Sequence, residues 1–148
     1  MEVFRLTKMK HAKPLSGYGA SLRGTHRWNS KGTFMIYTAA SRALATAEVF
    51  VHLAKSNLPA NQVIIVIQIP ASVSLQTLPN SRLPKQWQAC PPIDATRQIG
   101  DKFIMEMKYC VLKVPSAAVE GDFNYLINER HADFHKIKIT EVKPYQIN

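Results

Sequence analysis

Apolar and polar positions along this chain change period several times, and each change marks an expected element. Val3 to Thr7 (V-F-R-L-T) reads as a short strand, and His11 to Ala20 as a loop punctuated by Pro14, Gly17 and Gly19. A second apolar strand is expected over Phe34 to Thr38, with Tyr37 near its exit. Ser41 is a suitable N-cap for a helix from Arg42 to about Lys55. At about 100° per residue, Leu44, Ala47, Phe50, Val51 and Ala54 share one broad face, with Val49 and Leu53 nearly opposite. Glu48, His52 and Lys55 form a narrow polar stripe beside Leu44 and Val51.

Asn57, Pro59 and Asn61 interrupt the chain before Gln62 to Pro70, whose β-branched run Val63 to Ile67 predicts a strand buried on both faces. Ala71 to Pro92 carries Pro79, Pro84, Pro91 and Pro92, and is expected to be irregular. A compact domain seldom keeps so long a loop without a use, so it should cover a site or a partner surface, with Trp87 as its anchor. Asp94 is expected to cap a second helix reaching about Lys108, with Ile99, Phe103 and Met107 on one face. Tyr109 to Val114 predicts a further strand stopped by Pro115-Ser116, which sets Ser116 where a strand ends. Phe123 to Asn128 follows, and Lys136 to Val142 alternates as a final strand.

The totals narrow the class. A chain of 148 residues with 46% apolar and 20% charged side chains fits one globular domain, burying roughly two-thirds of its unfolded surface. No run of apolar residues is long enough for a transmembrane helix, and the opening residues do not read as a signal peptide. Cys90 and Cys110, without CxxC spacing, fit free thiols in a reducing cytoplasm. A formal net charge of +9 implies an anionic partner without choosing among nucleic acid, phosphorylated small molecule or acidic protein.

Candidate chemistry gathers between Gly24 and Glu48. A glycine-flanked loop carries Arg27, Trp28 and Asn29, the strand carries Tyr37, and the helix carries Glu48. Arginine, tyrosine and carboxylate at the mouths of three adjacent elements suit a site for an anionic ligand. Plainer readings stand beside this one: a structural ion pair between Arg27 and Glu48, and a solvated Glu48–His52 pair at i, i+4 spacing. Leu15 to Ala20 lacks a following helical pattern and is not a P-loop. His131 and His135 have no third ligand, so no metal site is expected. No serine sits in a G-x-S-x-G turn, and neither cysteine carries a sign of thiolate activation.

Three blocks in order resemble the RES domain toxins of bacterial toxin–antitoxin modules. The first comprises Phe4-Arg5-Leu6, Leu15 to Ala20, Gly24, Arg27-Trp28-Asn29-Ser30 and Gly32. The second comprises Tyr37-Thr38-Ala39, Ser41 to Ala45, Glu48-Val49 and Val51-His52-Leu53. The third comprises Val114 to Ala117, Asn124 to Asn128 and His131. The arginine, glutamate and serine that name that family fall on Arg27, Glu48 and Ser116. Thr25-His26 stands where a glycine commonly precedes the arginine, and Glu129 where a proline often follows the asparagine.

The resemblance implies an α+β fold like that of the ADP-ribosyltransferases: one RES domain over 1–148, its mixed, mostly antiparallel β core flanked by helices. It implies NAD as a substrate consumed, with the nicotinamide–ribose bond cleaved and ADP-ribose passed to phosphate, water or a protein. Arg27, Tyr37 and Glu48 would be catalytic, and Arg27, Asn29, Tyr37, Ser116 and Asn124 would bind NAD. The implied partner is a helix-turn-helix antitoxin that blocks the NAD cleft, with no membrane and no direct nucleic-acid binding. The competing reading is a basic RNase-type toxin using Glu48 and His52 as acid and base. Trp28-Asn29 beside the arginine, and the lack of a basic–aromatic tract, favour NAD.

Overall fold

The β-branched run expected to be buried on both faces anchors the sheet. In the computed structural model, which describes residues 1–52 and 60–146, it forms β3 (Gln62–Gln68), with every residue from Gln62 to Ile67 buried. β1 (Glu2–Lys8) lies antiparallel to it over seven register pairs, Glu2↔Gln68 to Lys8↔Gln62. The other strands are β2 (Ile36–Ala39), β4 (Leu75–Thr77), β5 (Val111–Pro115), β6 (Phe123–Ile127) and β7 (Lys138–Pro144). Together they make one seven-stranded sheet in the order β4-β5-β6-β2-β1-β3-β7. Among the described residues only β4 and β5 run parallel, so the sheet is mixed and mostly antiparallel. Its helices are α1 (Tyr18–Ser21), α2 (Arg42–Phe50) and α3 (Asp94–Glu106). The fold is α+β. Among the described residues, no helix is long and apolar enough to cross a membrane.

Register assigns each residue to a face, because directly opposed residues point to the same side. One face holds Val3, Ile36, Ile65, Ile67, Val111 and Ile127, joined by Val73, Phe134 and Ile137 from the turns and by Ile139 and Val142 of the neighbouring β7. The other face carries two separate clusters. Leu44 and Ala45 of α2 pack on Phe4, Leu6, Ala39, Ile64 and Val66. Phe103 and Ile104 of α3 pack with Trp28 and Met35 on Leu112, Val114 and Leu126. Burying each of the Leu, Ile, Val, Phe and Met side chains contributes roughly 1.5–3 kcal/mol, and the division leaves a seam between the two helices. Tyr37, opposite Leu126, and Asn124, between Ala39 and Val114, lie on the floor of that seam. β1 and β2 share only the pair Phe4↔Ala39, so the two half-sheets are joined lightly at the same place.

Several boundaries differ from the sequence pattern. α2 ends at Phe50 with Val51 as its C-cap, and the rest of the helix expected to Lys55 falls partly on residues 53–59, outside the described ones. Ser41 does cap it, its Oγ accepting from Leu44 N at 3.0 Å. Asp94 is not a cap: Ile93 holds that position, and Asp94 is the first helical residue. There its charge meets the helix dipole favourably while it pairs with Arg97 at 2.8 Å. The segment 71–92 contains β4 and a 3-10 turn, Asn80–Arg82, within its irregular course. A three-residue edge strand is too short to print a period on the sequence. A single helical turn, α1, follows Gly17 where none was expected. Gly17 is required there, since an added Cβ would lie 2.3 Å from Met35 N.

Candidate active site

The arginine loop is held to α3 before any ligand is considered. Gly100 lets the helix approach so closely that a Cβ would lie 1.6 Å from the Trp28 carbonyl oxygen. Asp101, on the next residue, accepts from Ser30 N at 2.9 Å and from Ser30 Oγ at 2.5 Å. Arg97 donates from Nε to the His26 carbonyl at 3.2 Å. No sequence signal joins Ser30 to Asp101 across 71 positions; only the packing of α3 does.

Arg27 projects from this loop toward segment 71–92. Its Nη1 donates to the Trp87 carbonyl at 2.7 Å and the Ala89 carbonyl at 2.9 Å. The Trp87 ring packs against Trp28, centroids 6.3 Å apart, so the expected anchor is real. Among the described residues, Nε and Nη2 of Arg27 have no hydrogen-bond partner, and Arg27 makes no ion pair with Glu48. Burial lowers the pKa of the guanidinium, opposed by the fields of Cys90, Glu48 and Tyr37. The two loop carbonyls therefore occupy Nη1 and leave the three N–H donors of Nε and Nη2 free among the described residues.

Asn29 is fully buried. Its Nδ2 donates to the carbonyls of Ala20, Ser30 and Thr33 at 2.9, 3.1 and 3.1 Å. Its Oδ1 accepts the Tyr37 hydroxyl at 2.5 Å, and that hydroxyl accepts from Trp28 N at 3.1 Å. Both polar side-chain atoms of Asn29 are thus engaged within the protein, which makes it a brace between the loop and β2. The Tyr37 hydroxyl is used in the same brace, and burial pushes its pKa above the ordinary phenol value. His26 stacks on the Tyr37 ring at 5.2 Å with 29° between planes. Burial, reinforced by the charges of His52, Arg5 and Arg23, lowers the pKa of His26. The sequence marked His26 only as a departure from a pattern; its stacking depends on the strand pairing that positions Tyr37.

Across the seam, α2 presents Glu48. Its Oε1 accepts from Ser116 Oγ at 2.6 Å and from Asn124 Nδ2 at 2.6 Å. Ser116 sits just past the end of β5, its Oγ also accepting from Ala118 N and Val119 N at 3.0 Å each. Three residues distant in sequence thus meet at one carboxylate oxygen. His52 does not join them: it lies beyond the last residue of α2, exposed, with no hydrogen bond to Glu48. The i, i+4 pair expected on an extended helix is absent among the described residues, because the helix stops first. Cys110 is buried, and burial pushes its thiol up to about 12, which disfavours the thiolate.

A carboxylate fixed by two donors, together with a partly used guanidinium that feels its field, can hold a polar anionic molecule. It can also stabilise positive charge developing near Glu48. The RES domain family profile matches residues 2–148. A Sphingobium sp. (strain YBL2) protein named "Prs ADP-ribosylating toxin" is 36% identical over 136 residues, 90% of this chain and 84% of that one. A protein of Photorhabdus laumondii subsp. laumondii named "Toxin Res" is 35% identical over 137 residues, 92% of this chain and 86% of that one. The crystal structure of the M. tuberculosis MbcT–MbcA toxin–antitoxin complex contains a chain of similar fold, with a TM-score of 0.74 and 19% identity. That likeness covers 98% of this chain and 84% of the other. The present chain belongs to the RES domain family.

Proposed function

We propose that this chain, acting as a single domain over 1–148, is the toxin of a toxin–antitoxin pair and consumes NAD. It breaks the bond between nicotinamide nitrogen and ribose C1′ and passes ADP-ribose to phosphate, water or a protein side chain. Nicotinamide leaves with the bonding electron pair as a neutral base, and C1′ becomes oxocarbenium-like before the acceptor's lone pair closes on it. The observation that carries this reading is the Glu48 carboxylate held by Ser116 and Asn124 within reach of the Arg27 field.

In this reading Glu48 stabilises the cationic ribose and takes its hydroxyls. Arg27, its remaining donors free, clamps the pyrophosphate in a bidentate way. Tyr37 contributes its ring rather than its hydroxyl, which the Asn29 brace already uses. Asn29 serves NAD by fixing Tyr37 and the loop, and Ser116 by orienting Glu48. The relatives' names support the toxin assignment and a reaction of the ADP-ribosylating type. The structural likeness supports the fold in which that chemistry would run. A helix-turn-helix antitoxin blocking the cleft is the proposed partner, and the cytoplasm, where NAD is plentiful, the proposed location.

The test is direct. Purified protein is incubated with NAD, and nicotinamide release is followed with and without inorganic phosphate and with candidate acceptor proteins. Release that depends on Glu48 supports the reading, and acceleration by phosphate or by one protein names the acceptor. No release under any of these conditions overturns it.

A further inference from the structure

The tyrosine on the floor of the seam is already engaged within the protein. Tyr37 gives its hydroxyl hydrogen to Asn29 Oδ1 at 2.5 Å and accepts from Trp28 N at 3.1 Å. Its ring packs against the cluster that holds Trp28 and Leu126. His26 stacks on that ring, centroids 5.2 Å apart with 29° between planes. Of the two rings His26 is the less deeply buried, so the imidazole is the outer layer of the stack.

The backbone of His26 is fixed. Arg97 Nε donates to its carbonyl at 3.2 Å, and the next residue is Arg27, held by the Trp87 and Ala89 carbonyls. Its side chain is held by stacking, since neither ring nitrogen has a hydrogen-bond partner among the described residues. The charged groups whose fields reach it are Arg5 from β1, Arg23 from its own loop and His52 from beyond α2. They come from both sides of the seam, which places the ring between the arginine loop and the α2 side. All three are basic, and together with burial they favour the neutral imidazole.

The base of NAD is a flat pyridinium cation, and a cation is attracted to the face of a neutral aromatic ring. We infer that the His26 imidazole, backed by the Tyr37 ring, is the surface against which this chain seats the cationic base of its substrate. The inference rests on the NAD-consuming reading above and gives the ring of Tyr37 its effect through His26. This contact belongs to binding and not to the chemical step. As the bond to ribose breaks, the base becomes neutral and the attraction fades while positive charge moves to the sugar. His26 therefore lowers KM without raising kcat.

The experiment measures KM and kcat for nicotinamide release from NAD in the wild-type protein, His26→Gln and His26→Phe. It also measures competitive inhibition by ADP-ribose, which lacks the base. For His26→Gln the expected KM is raised about tenfold, with kcat within about threefold and ADP-ribose inhibition within about twofold of wild type. His26→Phe restores a neutral ring and should return KM to within about threefold of wild type. A loop that had merely shifted would carry Arg27 with it and weaken NAD and ADP-ribose alike, which would overturn the inference. A lower KM in His26→Gln would make the imidazole a plug over Tyr37, and a phenylalanine no better than glutamine would deny the platform; either result overturns it too. A second measurement needs no variant. Thermal stabilisation of the wild-type protein by a non-cleavable carbocyclic NAD analogue should exceed that by its reduced form, whose base is neutral, and equal stabilisation counts against the inference. A wild-type protein that releases no nicotinamide would remove the functional reading and this inference with it, whereas release accompanied by any of the adverse results removes the inference alone.

Discussion

Glu48→Gln is an informative single substitution, because glutamine keeps an oxygen that can still accept from Ser116 and Asn124 at 2.6 Å. The fold should survive while the charge opposite the forming cation is lost. Removing one preorganised electrostatic contact costs on the order of 3 kcal/mol of barrier, so nicotinamide release should fall about a hundredfold. Wild-type rates from a folded Glu48→Gln protein would end the assignment. Arg27→Lys makes the complementary point. A lysine can replace the charge but cannot hold two carbonyls on one edge and offer a planar pair of donors on another. NAD affinity by calorimetry should drop about tenfold or more, equivalent to at least about 1.4 kcal/mol, and an unchanged affinity would count against the clamp.

The loop that carries Arg27 is only as well placed as its seat on α3. At Gly100 a methyl group would lie 1.6 Å from the Trp28 carbonyl, so Gly100→Ala must push helix and loop apart. Overpacking of this kind destabilises by typically 1–3 kcal/mol, roughly. Urea unfolding should show that loss together with reduced activity, since Arg27 moves with Trp28. His26 ties the same loop to β2 through its stack on Tyr37. Its folded-state pKa is depressed from 6.5 chiefly by burial, so the unfolded chain binds a proton there more readily. This contribution is complete above the unfolded value and is lost as pH falls through the folded one. The melting temperature should therefore decline on acidification below about pH 6.5, and His26→Gln should flatten that part of the profile.

For the molecule as a whole, the net charge of +9 fits NAD, RNA and an acidic antitoxin surface equally, so chemistry has to separate them. A nuclease would need Glu48 and His52 to work as a pair, yet His52 lies past the end of α2 and shares no bond with Glu48. In induced bacterial cells, His52→Ala should keep most of the toxicity, whereas Glu48→Ala and Arg27→Ala should each abolish it. Cellular NAD should fall, or a modified acceptor protein appear, before RNA decays. RNA fragmentation at constant NAD and without ADP-ribosylated protein would reverse the conclusion.

Local chemistry in the chain was enough to mark the buried strand 63–67, the Ser41 cap, and Arg27, Tyr37, Glu48 and Ser116 as groups of interest, whereas Asn124 came only with the family resemblance. β-branched runs, capping serines and breaker prolines act within a few residues, so they print directly on the sequence. The order of the blocks added the family. What each polar group does was decided elsewhere. The resemblance implies Asn29 as a ligand contact, and the packing of α1 and β2 buries it and saturates its side chain with four bonds. Arg27 and Glu48 could have been an ion pair by type, yet the loop carbonyls at 87 and 89 take the guanidinium, and β5 and β6 supply the partners of Glu48. Those partners lie 68 and 76 residues from Glu48, and strand register brings them to it. Side-chain type is set by the chain, but which donors remain free is set by what the folded neighbours have already consumed.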